Sequence, residues 1–237
     1  MKYIIILFLL PACISAAAQK QFVVDANAET RTLTGSFSSI KVSSGIHLFL
    51  SSGDEEAIAI SASEEKNKEQ IKTEIENGEL HIYYSGEKFH MGNNAKLNVY
   101  VAYEKLEQLK ASGASDIFIA GTMELPLLNL QLSGASDMKG DVKIGELNVK
   151  LSGASDLKLT GSAKDVNIES SGASDVKGYD FTAENCNIKV MGASDVNITV
   201  TKELFVNAAG ASDVHFKGPA EIKQRQSSGA SSIARVE

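Results

Sequence analysis

The chain has 237 residues, of which 43% are hydrophobic, so it can bury a substantial core. Tryptophan is absent and aromatic residues make up only 6%, which predicts a core of small aliphatic side chains. The formal net charge is −7 and no segment forms a basic patch, which argues against nucleic acid or an anionic membrane surface as a partner.

The N-terminal segment has the order of an export signal. Lys2 is followed by an apolar run, and three alanines precede Gln19. We therefore expect a signal peptide over residues 1–18, with cleavage near Ala18, and a mature chain in the periplasm, at the outer-membrane surface or outside the cell. The apolar run is too short to span a membrane, and no other segment qualifies as a span.

The two cysteines leave one alternative open. Cys13 in "LPAC" resembles the lipidated first residue of a bacterial lipoprotein, although Pro11 fits that pattern poorly. Cleavage before Gln19 would remove Cys13 and leave Cys186 without a disulfide partner. Because Cys186 alternates with Ile188 on one side of a predicted strand, we expect it to be a buried, unreactive thiol.

Residues 19–105 are predicted to form irregular strands that begin and cap a larger β-structure. An imperfect corner falls at Ser43-Ser44-Gly45, between two alternating apolar segments. Residues 64–72 predict one or two helical turns. Asn77-Gly78 stands between two further strands and favours a type I′ hairpin turn.

Residues 106–237 repeat the pentapeptide SGASD, with two variant first letters and a last copy that reads SGASS. The spacing between successive motif glycines is 18–21 residues. We assign each motif glycine to a sharp corner that requires positive φ or close backbone approach. These glycines are Gly113, Gly134, Gly153, Gly172, Gly192, Gly210 and Gly229.

Apolar residues alternate with polar ones on both sides of each motif, which predicts a half-buried strand before and after every corner. A period of about 20 residues fits one turn of a parallel β-helix, whereas a propeller blade requires about 40 residues. Neighbouring coils would then stack about 4.8 Å apart. Columns of asparagine and serine would form amide ladders and corner hydrogen bonds along the stack.

The final copy differs in a way that predicts a terminal cap. Arg225 and Lys223 stand where the other coils carry apolar residues, and Ser232 replaces the motif aspartate. A polar last coil would keep the open end of the stack from pairing with another chain.

Several segments together resemble one protein family. They are the leader, "LTGSFSSIKVSSGIHLFL", "IKTEIENGELHI", "KLNVYVAYEKLEQLKASGASD" and the later SGASD corners. The chain from residue 19 to 237 is similar to the putative auto-transporter adhesin family, also called the head GIN domain. The resemblance implies a single all-β domain, a right-handed parallel β-helix with coils of about 19–21 residues, exported by Bacteroidetes-type bacteria. It implies no catalytic residues.

The motif aspartates predict a column of carboxylates about 5 Å apart, and their repulsion must be offset. The first explanation is structural: each carboxylate accepts N–H bonds from its own turn, and solvent screens the rest. The alternative is a bound cation, Ca²⁺ above all, between adjacent corners. The calcium-binding nonapeptide repeat has a different spacing, so we expect no cofactor. The column comprises Asp116, Asp137, Asp156, Asp175, Asp195 and Asp213.

The sequence gives only weak support for a catalytic site. The four histidines, His47, His81, His90 and His215, are dispersed and lack metal-ligand spacing. Polysaccharide lyases are the strongest enzyme alternative, because they combine carboxylates with an Arg or Lys base. Here Lys139, Lys158 and Lys177 recur as a column, which indicates charge balance for the aspartates.

We therefore expect a non-catalytic cell-envelope or surface module, an adhesin that presents a β-helix face to a glycan or an envelope protein. The alternatives are a carbohydrate-active enzyme and a purely structural envelope protein. The sequence carries no indication of oligomeric state.

Overall fold

A computed structural model describes residue 25, residues 27–86 and residues 96–237. Of these residues, 71% are strand and 2% are helix, and they form a β-solenoid of about seven turns. The predicted signal peptide, Cys13 and His90 lie outside the described residues. The all-β parallel-helix prediction is confirmed.

The SGASD repeats form the regular part of the solenoid. Each long strand starts at a motif aspartate and bends once on its way to the next motif, so that it contributes to two faces of the coil. Successive strands pair in parallel, and each motif aspartate faces the next. The strands are β9 (Asp116–Leu132), β10 (Asp137–Gly153), β11 (Asp156–Gly172), β12 (Asp175–Gly192), β13 (Asp195–Gly210), β14 (Asp213–Lys217), β15 (Glu221–Gly229) and β16 (Ser232–Arg235).

The N-terminal part supplies eight shorter strands and one helical turn. They are β1 (Glu29–Arg31), β2 (Ser39–Val42), β3 (His47–Ser52), β4 (Ala57–Ala62), α1 (Glu65–Lys68), β5 (Ile71–Glu76), β6 (Glu79–Tyr84), β7 (Leu97–Tyr103) and β8 (Gln108–Ala111). The predicted hairpin is β5–β6, and its turn residues Asn77 and Gly78 both have positive φ, as a type I′ turn requires.

The order of these strands in space differs from their order in the chain. β2 lies between β6 and β8, and β3 lies between β7 and β9, all in parallel. The first coil of the chain is therefore the second layer of the stack, with β6 and β7 outside it. Antiparallel β5 and β4 pair with these outer strands and end the parallel stack, which confirms the predicted N-terminal cap.

One continuous hydrophobic core fills the coil from Phe37 to Ile233. Its inward columns match the predicted alternation: Leu130, Val149 and Ile168 stack in register before the corner. The apolar residue that follows each motif aspartate is buried in every coil. Stacking like side chains lets each coil pack against its neighbours at ordinary strand spacing.

The C-terminal end of the stack is polar, and arginines cover it. Every residue of β15 is exposed. Arg225 pairs with Val206 in an apolar column, as predicted, and its guanidinium donates to the Ile233 carbonyl oxygen at 2.6 Å. The placement of Lys223 was wrong: Ile222 takes the position opposite Leu204, and a β-bulge leaves Lys223 outside the register.

Candidate functional site

The motif corners are built around a buried serine and a glycine. The second serine of each SGASD copy is fully buried. In one coil, the Ser155 hydroxyl donates to the Ser152 carbonyl oxygen at 3.1 Å, and the Ser155 N–H donates to the Ser174 hydroxyl of the next coil at 3.4 Å. The buried serine thus makes one hydrogen bond within its own corner and one to the corner of the next coil.

All seven motif glycines have positive φ. A Cβ atom on Gly192 would lie only 2.5 Å from the Gly172 carbonyl oxygen in the coil below. That oxygen accepts the Ala193 N–H at 2.8 Å, so the coils meet backbone to backbone at the corner. The glycine therefore serves the stacking of coils and offers no chemical group to a ligand.

The aspartates that follow the corners form one continuous surface column. Asp116, Asp137, Asp156, Asp175, Asp195 and Asp213 pair in register. His47 occupies the position before Asp116, and Ser232 occupies the position after Asp213. His47 was not predicted to lie in this column. Its position could have indicated this, because His47 lies four residues after Ser43 in the imperfect corner, just as each motif aspartate lies four residues after the first residue of its motif.

Hydrogen bonds between coils offset part of the carboxylate repulsion. The Asp137 carboxylate accepts the Asp156 N–H, and the Asp213 carboxylate accepts the Ser232 N–H, each at 3.1 Å. The expectation that these donors come from the same turn was wrong. In a stack the motif N–H groups point along the axis, so the next coil supplies them.

Lys177 supplies a positive charge to the same column. Its Nζ atom lies 2.7 Å from Asp156 Oδ2 and 3.5 Å from Asp175 Oδ2. The hydrogen bond to Asp156 raises the pKa of Lys177, which keeps the amine protonated. A lysine that acts as a general base needs the opposite shift, so this residue is poorly suited to lyase chemistry.

His47 and Asp116 are in contact at the N-terminal end of the aspartate column. His47 Nε2 lies 3.4 Å from Asp116 Oδ2. Partial burial raises the pKa of Asp116, and the opposing attraction of His47 only reduces that effect. The other described histidines lie elsewhere: His81 contacts Glu79 at 2.7 Å, and His215 is on β14 opposite Asn197.

The lysine column and Phe118, the last ring of an aromatic stack, line the groove beside the carboxylates. Tyr100, Phe49 and Phe118 stack with ring centroids 5.0 and 4.9 Å apart, and Lys139 Nζ lies 4.7 Å from the Phe118 centroid. The groove has a volume of about 340 Å³, and Lys158 completes its basic side. Because the rings face one another along the stack, their flat surfaces are engaged within the protein.

No group of three His, Cys, Asp or Glu side chains in the described ranges could hold a metal ion. Calcium between the motif corners stays the alternative to the structural explanation, and a melting experiment can test it. Cys186 is buried between Val166 and Leu204 in an apolar column, which confirms its predicted structural role. Burial raises the pKa of its thiol, so the thiolate needed for reactivity is disfavoured.

A second surface of the solenoid carries a ladder of amides. Asn129, Asn148, Asn167 and Asn187 pair in register on β9–β12. Asn148 Nδ2 donates to Asn129 Oδ1 at 3.2 Å, and Asn167 Nδ2 donates to Asn148 Oδ1 at 2.8 Å. Both N–H groups of Asn148 are engaged, by Asn129 Oδ1 and by the Glu146 carboxylate at 3.0 Å. The Asn148 oxygen and the amides of the other rungs retain hydrogen-bonding capacity toward solvent, because a primary amide has two N–H groups and two oxygen lone pairs.

We call this surface the amide face and define it by the asparagine column and the parallel charged column beside it. That charged column contains Lys150, Glu169 and Lys189, with Lys–Glu distances of 3.5 and 3.9 Å. Two adjoining grooves of about 310 and 400 Å³ run along the face and share Asn187 and Lys189. The asparagine column continues through Phe205 on β13 to Gln224 on β15.

Comparisons with known proteins agree with this architecture. The family described as "Putative auto-transporter adhesin, head GIN domain" matches residues 36–220. No curated protein matches the chain significantly.

Solved structures with the same fold include proteins from Bacteroides and Parabacteroides species. A putative adhesin from Bacteroides fragilis has a TM-score of 0.74 at 18% identity, over 90% of this chain and 98% of that one. A putative lipid binding protein from Parabacteroides distasonis has a TM-score of 0.69, and a putative adhesin from Parabacteroides merdae has 0.64, both with the same identity and coverage. At this identity the comparisons establish the fold. In the described part of the chain, no helix is long and apolar enough to cross a membrane.

Proposed function

Because the chain belongs to the auto-transporter adhesin, head GIN domain family, we propose that it is an exported, non-catalytic surface module that binds a glycan along its amide face. The family name and the adhesin-like relatives support a surface role. The export proposal rests on the N-terminal segment, whose charged start, apolar run and small residues are typical of a signal peptide.

The amide ladder is the observation that carries the glycan proposal. Sugars present alternating hydroxyl donors and acceptors, and a row of amides offers both kinds of group at fixed intervals. The intervals equal the coil spacing of about 4.8 Å, which is close to the length of one ring in an extended glycan. A preorganised row of this kind binds at a lower entropic cost than flexible loops.

Two features support a binding role over catalysis. Lys177, the best-placed candidate base, is held protonated between two carboxylates. The polar columns repeat from coil to coil, whereas a catalytic site needs different groups converging on one point. The polysaccharide lyase and the purely structural envelope protein remain the competing functions that an experiment has to separate.

The test is binding of the mature chain to a glycan array, followed by titration calorimetry on the best ligands. The double variant Asn148→Ala/Asn167→Ala removes two rungs and should weaken binding by about tenfold or more, since each lost hydrogen bond is worth about 1 kcal/mol. The matched control is Asn197→Ala, which removes an outward amide from the opposite face of β13 and should leave affinity unchanged.

Three results would contradict the proposal. If no glycan binds and envelope extracts contain no partner, a structural role is favoured. If the chain binds an envelope protein instead of a glycan, the glycan assignment of the amide face is wrong. If the chain releases sugar from polysaccharides and one point substitution abolishes release, it is an enzyme. Thermal melting of the variants checks that each one is folded.

A further inference from the structure

An exposed phenylalanine occupies one position of the asparagine column on the amide face. Phe205 pairs with Asn187 on one side and with Gln224 on the other, so it occupies the position of a rung. Its side chain points outward and is 36% exposed, between the buried Leu204 and Val206. The inward alternation of β13 is intact, so Phe205 contributes nothing to the core.

Part of the Phe205 side chain is open to solvent. In the described part of the chain, the exposed large apolar side chains are Tyr179, Met191, Phe205 and Ile222. Tyr179, the other exposed aromatic residue, has Lys217 Nζ above its ring at 5.3 Å. No ring or cationic group among the described residues lies over Phe205, which leaves a flat apolar surface open to a ligand.

The groove around Phe205 combines apolar surface with uncharged polar side chains and is almost neutral. It has a volume of about 400 Å³ and combines the ring with the side chains of Asn187, Asn207 and Gln224. Lys189 is its only charged lining residue, and that amine lies 3.9 Å from the Glu169 carboxylate. A charged ligand would find little to balance it there, whereas a neutral ligand with hydroxyl groups would be matched.

We infer that Phe205 is the stacking platform of the amide face and binds one pyranose ring of a neutral glycan. The C–H groups on one face of a pyranose form an apolar patch that packs on an aromatic ring, whose face is electron-rich. The flanking Asn187 and Gln224 amides bond the hydroxyl groups at the ring edge. This inference rests on the proposed function and names the ligand class for the same face.

The absence of tryptophan from the chain makes the site directly observable. The variant Phe205→Trp keeps a flat ring at the platform and introduces a single tryptophan, whose fluorescence can be excited separately from that of the tyrosines. The probes are cellohexaose, xylohexaose, chitohexaose and mannohexaose as neutral ligands, with hexagalacturonate as the acidic comparison. We expect at least one neutral probe to bind and to shift the tryptophan emission to shorter wavelength as the ring is desolvated.

Substitution then locates the platform. Phe205→Ala should weaken binding of the best neutral probe by about tenfold, equivalent to about 1.4 kcal/mol, because the variant removes the ring on which the sugar packs. Tyr179→Ala is the matched control: it removes a ring of similar exposure from a different strand, β12, and should leave affinity unchanged. Both positions are outside the core, and thermal melting verifies that both variants fold.

The outcomes separate the inference from the proposed function. If the rung variant Asn148→Ala/Asn167→Ala weakens binding but Phe205→Ala does not, the platform is wrong and the glycan face stands. If only hexagalacturonate binds, the neutral ligand class is wrong. If the wild-type chain binds none of the five probes and no array glycan, both proposals are overturned.

Discussion

At the scale of single residues, the first SGASD copy differs from the later copies. Gly113 and Ala114 both have positive φ, whereas the later copies have positive φ only at glycine. The Gly113 carbonyl oxygen accepts the Gly45 N–H of the coil below at 3.0 Å, while the Gly153 oxygen accepts the Ala173 N–H of the coil above. The peptide after Gly113 is therefore flipped, which forces Ala114 into the left-handed region.

Ala114→Gly should stabilise the protein by up to about 1 kcal/mol, because a left-handed conformation costs an L-residue about 1–2 kcal/mol, which exceeds the extra backbone entropy of about 0.5–1 kcal/mol that glycine loses on folding. The midpoint of urea unfolding measures the change. Ala154→Gly is the control, since Ala154 has no positive φ and the replacement should instead cost about 0.5–1 kcal/mol of backbone entropy. A lower midpoint for Ala114→Gly would show that the flip is not strained.

At the scale of elements, the paired strands stack like residues into columns. Each column differs in how its polar groups are satisfied. The serine column satisfies backbone groups inside the corner, and the amide column bonds side chain to side chain on the surface. The aspartate column is the unfavourable one, and it is offset by N–H groups of the next coil, by Lys177 and by solvent.

If these contacts suffice, calcium is unnecessary, and the melting temperature should be the same in millimolar calcium and in chelator. A ligand that binds only the folded state must raise the melting temperature, by an amount equivalent to about 2.7 kcal/mol at a hundredfold excess over Kd. Magnesium at the same concentration controls for ionic strength. A rise with calcium alone would place a cation between the aspartates and overturn the structural explanation.

At the scale of the whole molecule, the two ends of the solenoid are closed in different ways. Antiparallel strands β1, β4 and β5 end the stack at the N-terminal side. At the other end, β15 and β16 are edge strands, and the guanidinium groups of Arg225 and Arg235 bond carbonyl oxygens across the last coil. A charged edge is a known protection against strand pairing between molecules.

Arg225→Val should therefore promote self-association, because valine would extend the Val206 column and leave an apolar, stackable end. Sedimentation velocity at micromolar concentration measures the change relative to the wild-type chain. Lys223→Val is the matched control: Lys223 lies in the bulge, outside the apolar column, and its replacement should have a smaller effect. Equal association of both variants would mean that loss of charge alone is responsible.

The sequence by itself determined the repeat, the corners and the inward columns. These properties are local: a two-residue alternation selects a strand face, and a glycine of positive φ selects a bend. The type I′ turn at Asn77-Gly78 and the burial of Cys186 follow from the same short-range patterns.

Only the tertiary structure decided which distant segments become neighbours. It placed β6 and β7 outside the first coil, brought His47 to the head of the aspartate column and put Phe205 in line with the asparagines. It also moved Lys223 into a bulge, which shifts the register by one residue. Register between strands depends on the packing of whole coils, and a one-residue shift changes which side chain faces the core or the ligand.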